Sequence, residues 1–397
     1  MIRRPDYIHA ILPFVDAPLV KILSGVRRCG KSTILEMMKA ELLRRGIAEA
    51  NIISRNYSSV EYDDSFSSRE MYADLKTAIE GRGRCYLFLD ELQEVTGWER
   101  VVNTLMESAD VDIYVTGSNS RLMSSEIATY LSGRYVSIPV YTLSLREYMT
   151  FKGSEDRYGA FEDYLQFGGF PIIGVSRFDT RSAYQIVDDI YNSVVTRDIS
   201  LRHQIRNQAL FDRVVRFIVE NVGKTFSANS IVNLLKGEKR SLSVETVYDY
   251  LKWLQEAFII YPCKRYDLQG KAVLKTQEKY YLSDISLKYG QLGFDNKMIA
   301  AMLENIVFLE MKRRGYDVYI GKIGAKEIDF IGVLRDEKVY VQVCRTLPEN
   351  SERETENLKS IRDHYHKYVV AMDKLAIGND EGVAFVHIAD FLLMDKW

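Results

Sequence analysis

A short segment near the amino terminus carries residue types that bind phosphate groups. It reads Gly25-Val26-Arg27-Arg28-Cys29-Gly30-Lys31-Ser32-Thr33. Gly25 and Gly30 allow the backbone to turn, so that its N–H groups face the β- and γ-phosphates of a nucleotide. Lys31 supplies a positive charge to the phosphate oxygens, and the hydroxyl of Ser32 is the expected Mg²⁺ ligand. We therefore predict a phosphate-binding loop in which Gly25 and residues 27–33 contact the nucleotide.

Two carboxylates follow an apolar run further along the chain. The run Cys85-Tyr86-Leu87-Phe88-Leu89 leads directly into Asp90 and Glu91. Asp90 is expected to hold Mg²⁺ through water, and Glu91 to orient and deprotonate the attacking water. The alternative is that the two acids cap the next helix. The phosphate-binding loop one βα unit upstream favours the catalytic interpretation.

Three further candidate residues flank apolar runs: Ser118 and Asn119 follow one run, and Arg134 precedes another. Ser118 and Asn119 come after Val111–Gly117, where either side chain is placed to hydrogen-bond the γ-phosphate or the attacking water. A plain turn explains the same Gly-Ser-Asn sequence equally well. Arg134 is a candidate arginine finger or sensor that neutralises charge on the transferred phosphoryl group. Its alternative role is an ion pair with a surface carboxylate.

These residues can form one site only if a sheet brings the ends of their strands together. Apolar runs at residues 19–23, 51–57, 85–91, 111–117 and 135–140 alternate with helical patterns, which predicts an α/β fold with a doubly wound parallel sheet over residues 1–145. At the carboxyl end of its strand, Asp90 would lie beside the phosphate-binding loop.

Composition limits the classes of partner and compartment. The net charge of −2 gives the whole chain no general attraction to nucleic acid or to anionic membranes. No apolar run approaches membrane-spanning length, and the amino terminus lacks the apolar region of a secretory signal. Cysteines 29, 85, 263 and 344 have no metal-ligand spacing and suggest a reducing compartment. We expect a cytoplasmic protein without a membrane partner.

The middle of the chain is predominantly helical. Residues 146–204 are predicted to form a helical linker, interrupted at Phe167–Pro171 by a structural corner. Residues 205–277 contain three helical patterns and a strand pair, which indicates a winged-helix domain. The third helical pattern carries Glu245, Asp249 and Glu256 against one Lys252, a charge balance that disfavours insertion into a DNA groove. Weak backbone contact through the basic residues at 236–240 stays open.

The last segment, residues 278–397, has the layout of a restriction-endonuclease-like core. A long helix with Glu304 and Glu310 precedes a hairpin with Asp329, and the next strand reads Gln342-Val343-Cys344. In an active member the helix acid and the hairpin Asp bind Mg²⁺, and the next strand carries Glu-x-Lys. Glutamine cannot supply the ligand charge, and cysteine cannot replace the lysine. We therefore expect a degenerate, catalytically inactive domain.

Taken together, these segments resemble the AAA-type P-loop ATPases of bacteria and archaea that carry an uncharacterised C-terminal nuclease-like domain. The resemblance rests on the phosphate-binding loop and on further motifs, which are Leu-Asp-Glu-Leu-Gln at 89–93, Thr-Gly-Ser-Asn-Ser at 116–120, Leu-Ser-Gly-Arg-Tyr at 131–135, Gly-Gly-Phe-Pro at 168–171, Thr-Arg-Asp-Ile at 196–199 and Glu-Asn-Ile-Val-Phe-Leu-Glu at 304–310. It implies ATP binding and hydrolysis, with Ser118 or Asn119 as the sensor, and it strengthens a functional role for Arg134.

The function predicted from the sequence is therefore an ATPase with the cofactors ATP and Mg²⁺, whose hydrolysis cycle switches the attached domains. One alternative is a binding module that uses ATP as a conformational ligand, with negligible turnover and ATP-dependent capture of a protein partner. Another is a DNA-binding or DNA-processing ATPase. If Arg134 acts on a neighbouring subunit, a homo-oligomer is required.

Overall fold

The fold is described from a computed structural model, which covers residues 2–62, 65–120, 130–131, 133–205, 207–240, 242–270, 272–324, 326–347, 352–373 and 378–397. Cα packing divides the chain into two compact units. The first contains Met1–Val140 with Glu256–Phe258, and the second contains Tyr141–Gln255 with Ile259–Trp397. The motif residue Ser132 lies outside the described residues.

The first unit is built on a parallel sheet. Within the described residues its strands are β1 (Val20–Ser24), β2 (Ile52–Asn56), β3 (Cys85–Asp90), β4 (Val111–Gly117) and β5 (Tyr135–Pro139). Their order is β2-β3-β4-β1-β5, and every pairing is parallel. The α/β parallel sheet predicted for the amino-terminal domain is confirmed.

Helices connect these strands and cover the sheet. They are α1 (Pro5–Ile11), α2 (Lys31–Arg44), α3 (Ser68–Ile79) and α4 (Trp98–Ser108). The start of α3 is fixed by a capping box, in which Ser67 and Glu70 each bond the other's backbone N–H. Apolar side chains of α3 and α4, such as Leu75 and Val102, pack with the strand residues Leu87 and Ile113 in one buried core.

The strand order corrects one expectation about the site. Asp90 was expected beside the phosphate-binding loop, but β4 lies between β3, which carries Asp90, and β1, which leads into the loop. The register pairs Ser24 with Gly117 and Leu89 with Val115. Residues at the end of β4 therefore occupy the space between the loop and the acidic pair.

The second unit begins with helices. They are α5 (Leu145–Lys152), α6 (Arg157–Phe167), α7 (Pro171–Val175) and α8 (Thr180–Val194), and α8 continues through a π-helical turn, Val195–Ser200. The Gly-Gly corner between α6 and α7 is buried against Asp284, whose carboxylate accepts the N–H of Gly169 at 2.8 Å. The predicted structural corner at Phe167–Pro171 is confirmed.

The next helices lead into a hairpin that belongs to a larger sheet. The helices are α9 (Gln208–Glu220), α10 (Ala228–Gly237) and α11 (Val244–Glu256), and the hairpin consists of β6 (Ile260–Asp267) and β7 (Ala272–Leu282). A boundary after residue 277 was wrong, because β7 runs across it. Residues Lys264–Asp267 of β6 also pair in parallel with residues 319–322 of the carboxyl-terminal segment.

The remaining elements complete that sheet. They are α12 (Ser286–Leu292), α13 (Ile299–Arg313), β8 (Asp317–Ile323), β9 (Lys326–Leu334), β10 (Glu337–Cys344), α14 (Glu352–Lys359), β11 (His366–Ala371), β12 (Gly378–Asp380), β13 (Val383–His387) and α15 (Ile388–Leu393). In the described part of the chain the strand order is β12-β13-β11-β10-β9-β8-β6-β7. A search of the same residues finds no helix with the length and apolarity needed to cross a bilayer.

Candidate nucleotide site

Gly25 and Gly30 are both required in the loop between β1 and α2, for different reasons. Gly30 has a φ of +103°, a backbone conformation that residues with a Cβ atom rarely adopt. At Gly25 the limit is space, because a Cβ atom there would lie 2.0 Å from the carbonyl oxygen of Val140. Gly25 was expected to provide a turn, and the structure shows instead a close approach of two backbone segments.

The loop holds the Lys31 side chain at its centre. Its buried ammonium donates to the carbonyl oxygens of Gly25, at 2.9 Å, and Val26, at 3.2 Å. Ser32 and Thr33 follow in the first turn of α2 with exposed side chains. Since the amino end of a helix carries a partial positive charge, this turn favours a bound anion. The loop therefore presents a cation, a hydroxyl group and a helix terminus together.

Other loop residues have structural or peripheral roles. Cys29 is fully buried, and burial raises the pKa of its thiol, so this group stays protonated near neutral pH. Its carbonyl oxygen accepts a hydrogen bond of 2.8 Å from buried Arg4. Arg28 is exposed with a φ of +65°, and Arg27 lies 3.9 Å from Glu94. Both arginines stay candidates for contact with the outer phosphates.

The acidic pair is positioned by Thr116 near the end of β4. The buried hydroxyl of Thr116 donates to the carboxylate of Asp90 and accepts the backbone N–H of Glu91 at 2.9 Å. Sequence reasoning missed Thr116, because a threonine inside a strand is ordinarily explained by strand preference. Its position just before Gly117 and Ser118 was the available signal.

The carboxylate of Glu91 is held away from any helix-capping role. It accepts hydrogen bonds from the amide of Gln93, at 2.5 Å, and from the hydroxyl of Ser118, at 3.4 Å. Glu91 has a φ of +51°, and its side chain makes no capping bond to the short 3₁₀ helix Leu92–Glu94. The structure thus brings together Glu91 and Ser118, two residues singled out from the sequence.

Ser118 and Asn119 follow β4 at the same edge of the sheet. Since Gly117 is paired with Ser24, these two buried residues lie beside the start of the loop at Gly25. The carboxyl ends of β1, β4 and β3 thus carry, in spatial order, the phosphate-binding loop, the two polar residues and the acidic pair.

Arg134 lies at the opposite edge, where it forms an ion pair with a carboxylate, the alternative role that the sequence left open. It directly precedes β5, and its carbonyl oxygen accepts the N–H of Val20 at the amino end of β1. Its guanidinium donates to Asn103, at 2.6 Å, and to Glu107, at 3.0 Å. The length of β1, about 16 Å at 3.3 Å per residue, separates this edge from the loop.

Two family models match two successive parts of the chain. Residues 17–149 match the model of an AAA domain, and residues 158–298 match a domain of unknown function, DUF8612. An uncharacterised protein of Haemophilus influenzae is 36% identical and covers 99% of each chain. An uncharacterised protein of Methanocaldococcus jannaschii is 29% identical over 94% of this chain and 85% of its own.

Among solved structures, the Walker-type ATPase PABY2304 of Pyrococcus abyssi has a similar fold. The similarity covers 73% of this chain and 95% of that chain, with a TM-score of 0.51 and 14% sequence identity. At this identity the match supports the fold and leaves the chemistry to be argued from the residues.

Proposed function

Since this chain belongs to the same family as the Haemophilus influenzae protein and carries an AAA domain, we propose that it binds ATP with Mg²⁺ and hydrolyses the terminal phosphoanhydride bond. The observation that carries the proposal is the convergence of Lys31 and Ser32 with Asp90 and Glu91 at one edge of a parallel sheet. These are the groups needed to hold a triphosphate, a cation and an attacking water.

Each group has a distinct role in this reaction. Lys31 and the backbone N–H groups of the loop bind the phosphate oxygens and stabilise the charge that develops on them. Glu91 accepts a proton from the attacking water, while Gln93 and Ser118 fix the direction of its carboxylate. Ser118 and Asn119 are proposed to sense the γ-phosphate from the end of β4.

The residues present also fit a magnesium ion. The exposed hydroxyl of Ser32 and the half-buried carboxylate of Asp90 are hard oxygen donors, and Thr116 fixes the carboxylate. When bound, Mg²⁺ would neutralise negative charge on the phosphate oxygens. In this proposal Asp90 acts through water, and Ser32 is the direct ligand.

The test measures phosphate release and ATP affinity separately. Glu91→Gln is expected to lower kcat about 100-fold or more, with ATP affinity changed by less than about threefold, since proton transfer is lost and phosphate binding is kept. Lys31→Ala should remove binding measured by calorimetry. The matched control is Glu80→Gln, an exposed acid at the end of α3. Equal turnover in Glu91→Gln and Glu80→Gln would contradict the assigned base.

The second unit is proposed to respond to the nucleotide state and to engage a protein partner. This fits the division of the chain into an AAA unit and a second compact unit. Hydrogen exchange with a non-hydrolysable ATP analogue should change protection in the second unit as well as in the loop. Single-turnover kinetics distinguish an ATPase from a switch without turnover. In a switch without turnover, bound ATP should persist while hydrogen exchange in the second unit still changes.

We also propose a winged-helix arrangement for α9 to β7. The order of the three helices and the hairpin supports it, as does an antiparallel bridge from Thr225, between α9 and α10, to Lys279 of β7. Because α11 carries several acidic residues, we expect any DNA binding to be limited to weak contact with the DNA backbone. A gel shift with duplex DNA should show no sequence-specific complex.

The helix, hairpin and strand order from α13 to β11 supports the nuclease-like core, which we propose to be inactive. Its strands β8, β9 and β10 pair antiparallel, and β11 joins β10 in parallel. Incubation of plasmid with Mg²⁺ should leave it uncut. Arg134 bonds Asn103 and Glu107 of α4 in its own chain, and we propose that it acts on the nucleotide of a neighbouring copy. A larger mass with the ATP analogue would support that oligomer.

A further inference from the structure

A buried cluster of charges joins α13, β7 and β9 in the second unit. The ammonium of Lys279 lies 2.9 Å from Oε1 of Glu327 and 3.6 Å from Oε2 of Glu304. Lys279 is 6% exposed, and the nearby Asp329 is 8% exposed. One lysine thus connects carboxylates from two different elements, although it lies on a third.

The surrounding groups favour the charged form of this lysine. Burial alone would lower the pKa of Lys279, but Glu304, Asp329 and Glu327 together raise it above the ordinary value. The phenol of Tyr281 donates to Glu304 at 3.1 Å, and Arg265 donates to Glu327 at 2.6 Å. Glu304 and Glu327 are therefore paired with cations and donors of the chain itself.

The backbone keeps Lys279 in this position. Lys279 pairs with Cys263 across the hairpin on one side, and Thr225 forms a bridge to it on the other. Its neighbours on β7, Glu278 and Tyr280, bond each other at 3.2 Å. The backbone of Lys279 is thus held on both sides, and its ammonium is held by the ion pairs with Glu327 and Glu304.

With the Lys279 ammonium between Glu304 and Glu327, the residues of the nuclease-like layout do not fit a divalent ion. Asp329 accepts the N–H of Val343 at 2.8 Å, and Gln342 accepts the N–H of Asp329 at 3.4 Å. These side chains are thus engaged by the backbones of β9 and β10. Among the residues that the structure describes, no three histidine, cysteine or acidic side chains are arranged to hold a metal ion.

We propose that the ammonium of Lys279 is the resident cation of this cluster and excludes divalent metals from it. An ammonium supplies one charge and three donors, which matches carboxylates that approach it singly. Mg²⁺ demands near-ideal octahedral oxygen ligands, whereas Glu304, Glu327 and Asp329 each already interact with a cation or donor of the chain. The acids at the positions of the nuclease-like layout then pair with cations of the chain itself, and replacement of Lys279 is expected to open the cluster to a metal ion.

The experiment compares Mn²⁺ binding in full-length variants. All carry Ser32→Ala, which removes the proposed ligand in the AAA unit. By calorimetry, the Ser32→Ala chain and its Glu304→Gln derivative should bind Mn²⁺ equally. Lys279→Met should gain one Mn²⁺ per chain, at least about tenfold tighter than background. That gain should disappear when Glu304→Gln is added. The control Lys326→Met removes an exposed lysine of the same sheet, paired with Glu356, and should gain nothing.

Either of two results would overturn the proposal. One is Mn²⁺ binding by the parent chain that Glu304→Gln abolishes, because the cluster would then already accept a metal. The other is a folded Lys279→Met chain that binds no more Mn²⁺ than Lys326→Met. If Lys279→Met does not fold, Lys279→Arg retains the positive charge, and the comparison of the parent with Glu304→Gln decides the question.

Discussion

The hydroxyl of Thr116 connects the tip of β4 to the Asp90 carboxylate, and the same hydroxyl accepts the N–H of Glu91. One side chain on the intervening strand thus fixes both acids of the proposed reaction. Their geometry depends on β4 as much as on β3.

Replacement of Thr116 by valine tests this dependence. Thr116→Val keeps the shape and leaves the N–H of Glu91 without its partner, which should cost about 1–3 kcal/mol in the free energy of unfolding. We expect kcat to fall about tenfold or more, measured by phosphate release. Thr104→Val, at an exposed helical threonine of α4, is the control. Equal kcat in the two variants would show that the acids do not need Thr116.

A methyl group at Gly25 should disrupt the loop. Gly25→Ala places Cβ 2.0 Å from the carbonyl oxygen of Val140, so the backbone must shift. We expect ATP affinity, measured by calorimetry, to fall at least about tenfold, together with a lower Tm. Gly83→Ala, where a Cβ meets open space at an ordinary φ, should change neither quantity. Unchanged affinity in Gly25→Ala would contradict the close approach.

The buried ion pair between Lys21 and Asp112 stabilises the first unit. Both side chains are fully buried, and Asp112 also accepts hydrogen bonds from Tyr114 and the N–H of Asp16. Lys21→Met leaves a buried charge uncompensated and should cost about 3–5 kcal/mol, measured by urea unfolding. The exposed Arg44→Met, which loses a surface pair with Glu41, should cost less than about 1 kcal/mol. Similar losses in the free energy of unfolding in the two variants would contradict the stabilising role of the buried pair.

Lys288 should give the protein an alkaline dependence of stability. Burial, together with Lys224, lowers the pKa of Lys288 to about 8 in the folded chain, whereas the unfolded chain keeps the ordinary value of 10.5. Between these values the unfolded state binds more protons, so the free energy of unfolding rises with pH. The rise is on the order of 2–3 kcal/mol.

Urea unfolding at pH 7 and pH 10.5 checks this prediction. The difference between the native chain and Lys288→Met isolates the contribution of this lysine from other groups that titrate at high pH. The variant should lack the rise. The exposed Lys236→Met should retain it. A pH dependence that is identical in the native chain and Lys288→Met would rule out Lys288 as its source.

The candidate site residues chosen from the sequence are those that follow a predicted strand. Lys31, Ser32, Asp90 and Glu91 each follow an apolar run, and parallel strands bring their carboxyl ends to one edge. Thr116 was missed because it lies inside its strand, where β-branched residues are common. The contacts of Arg134 could not be identified from the sequence, because its partners Asn103 and Glu107 lie on α4, a distant segment of the chain.

Other features depend on pairing between distant segments. The boundary after residue 277 failed because β6 finds its parallel partner, β8, more than 50 residues later. The role of Lys279 could not be inferred for the same reason, since its partners Glu304 and Glu327 are brought to it by the sheet. Local patterns specify elements, and long-range pairing decides which elements form one body.

The strand β7 limits how the chain can be divided. A truncation at residue 277 would split one strand and expose the unpaired edge of β8, a surface prone to aggregate. A recombinant fragment that starts at Tyr141 retains the whole sheet and is the sensible choice for expressing the second unit alone.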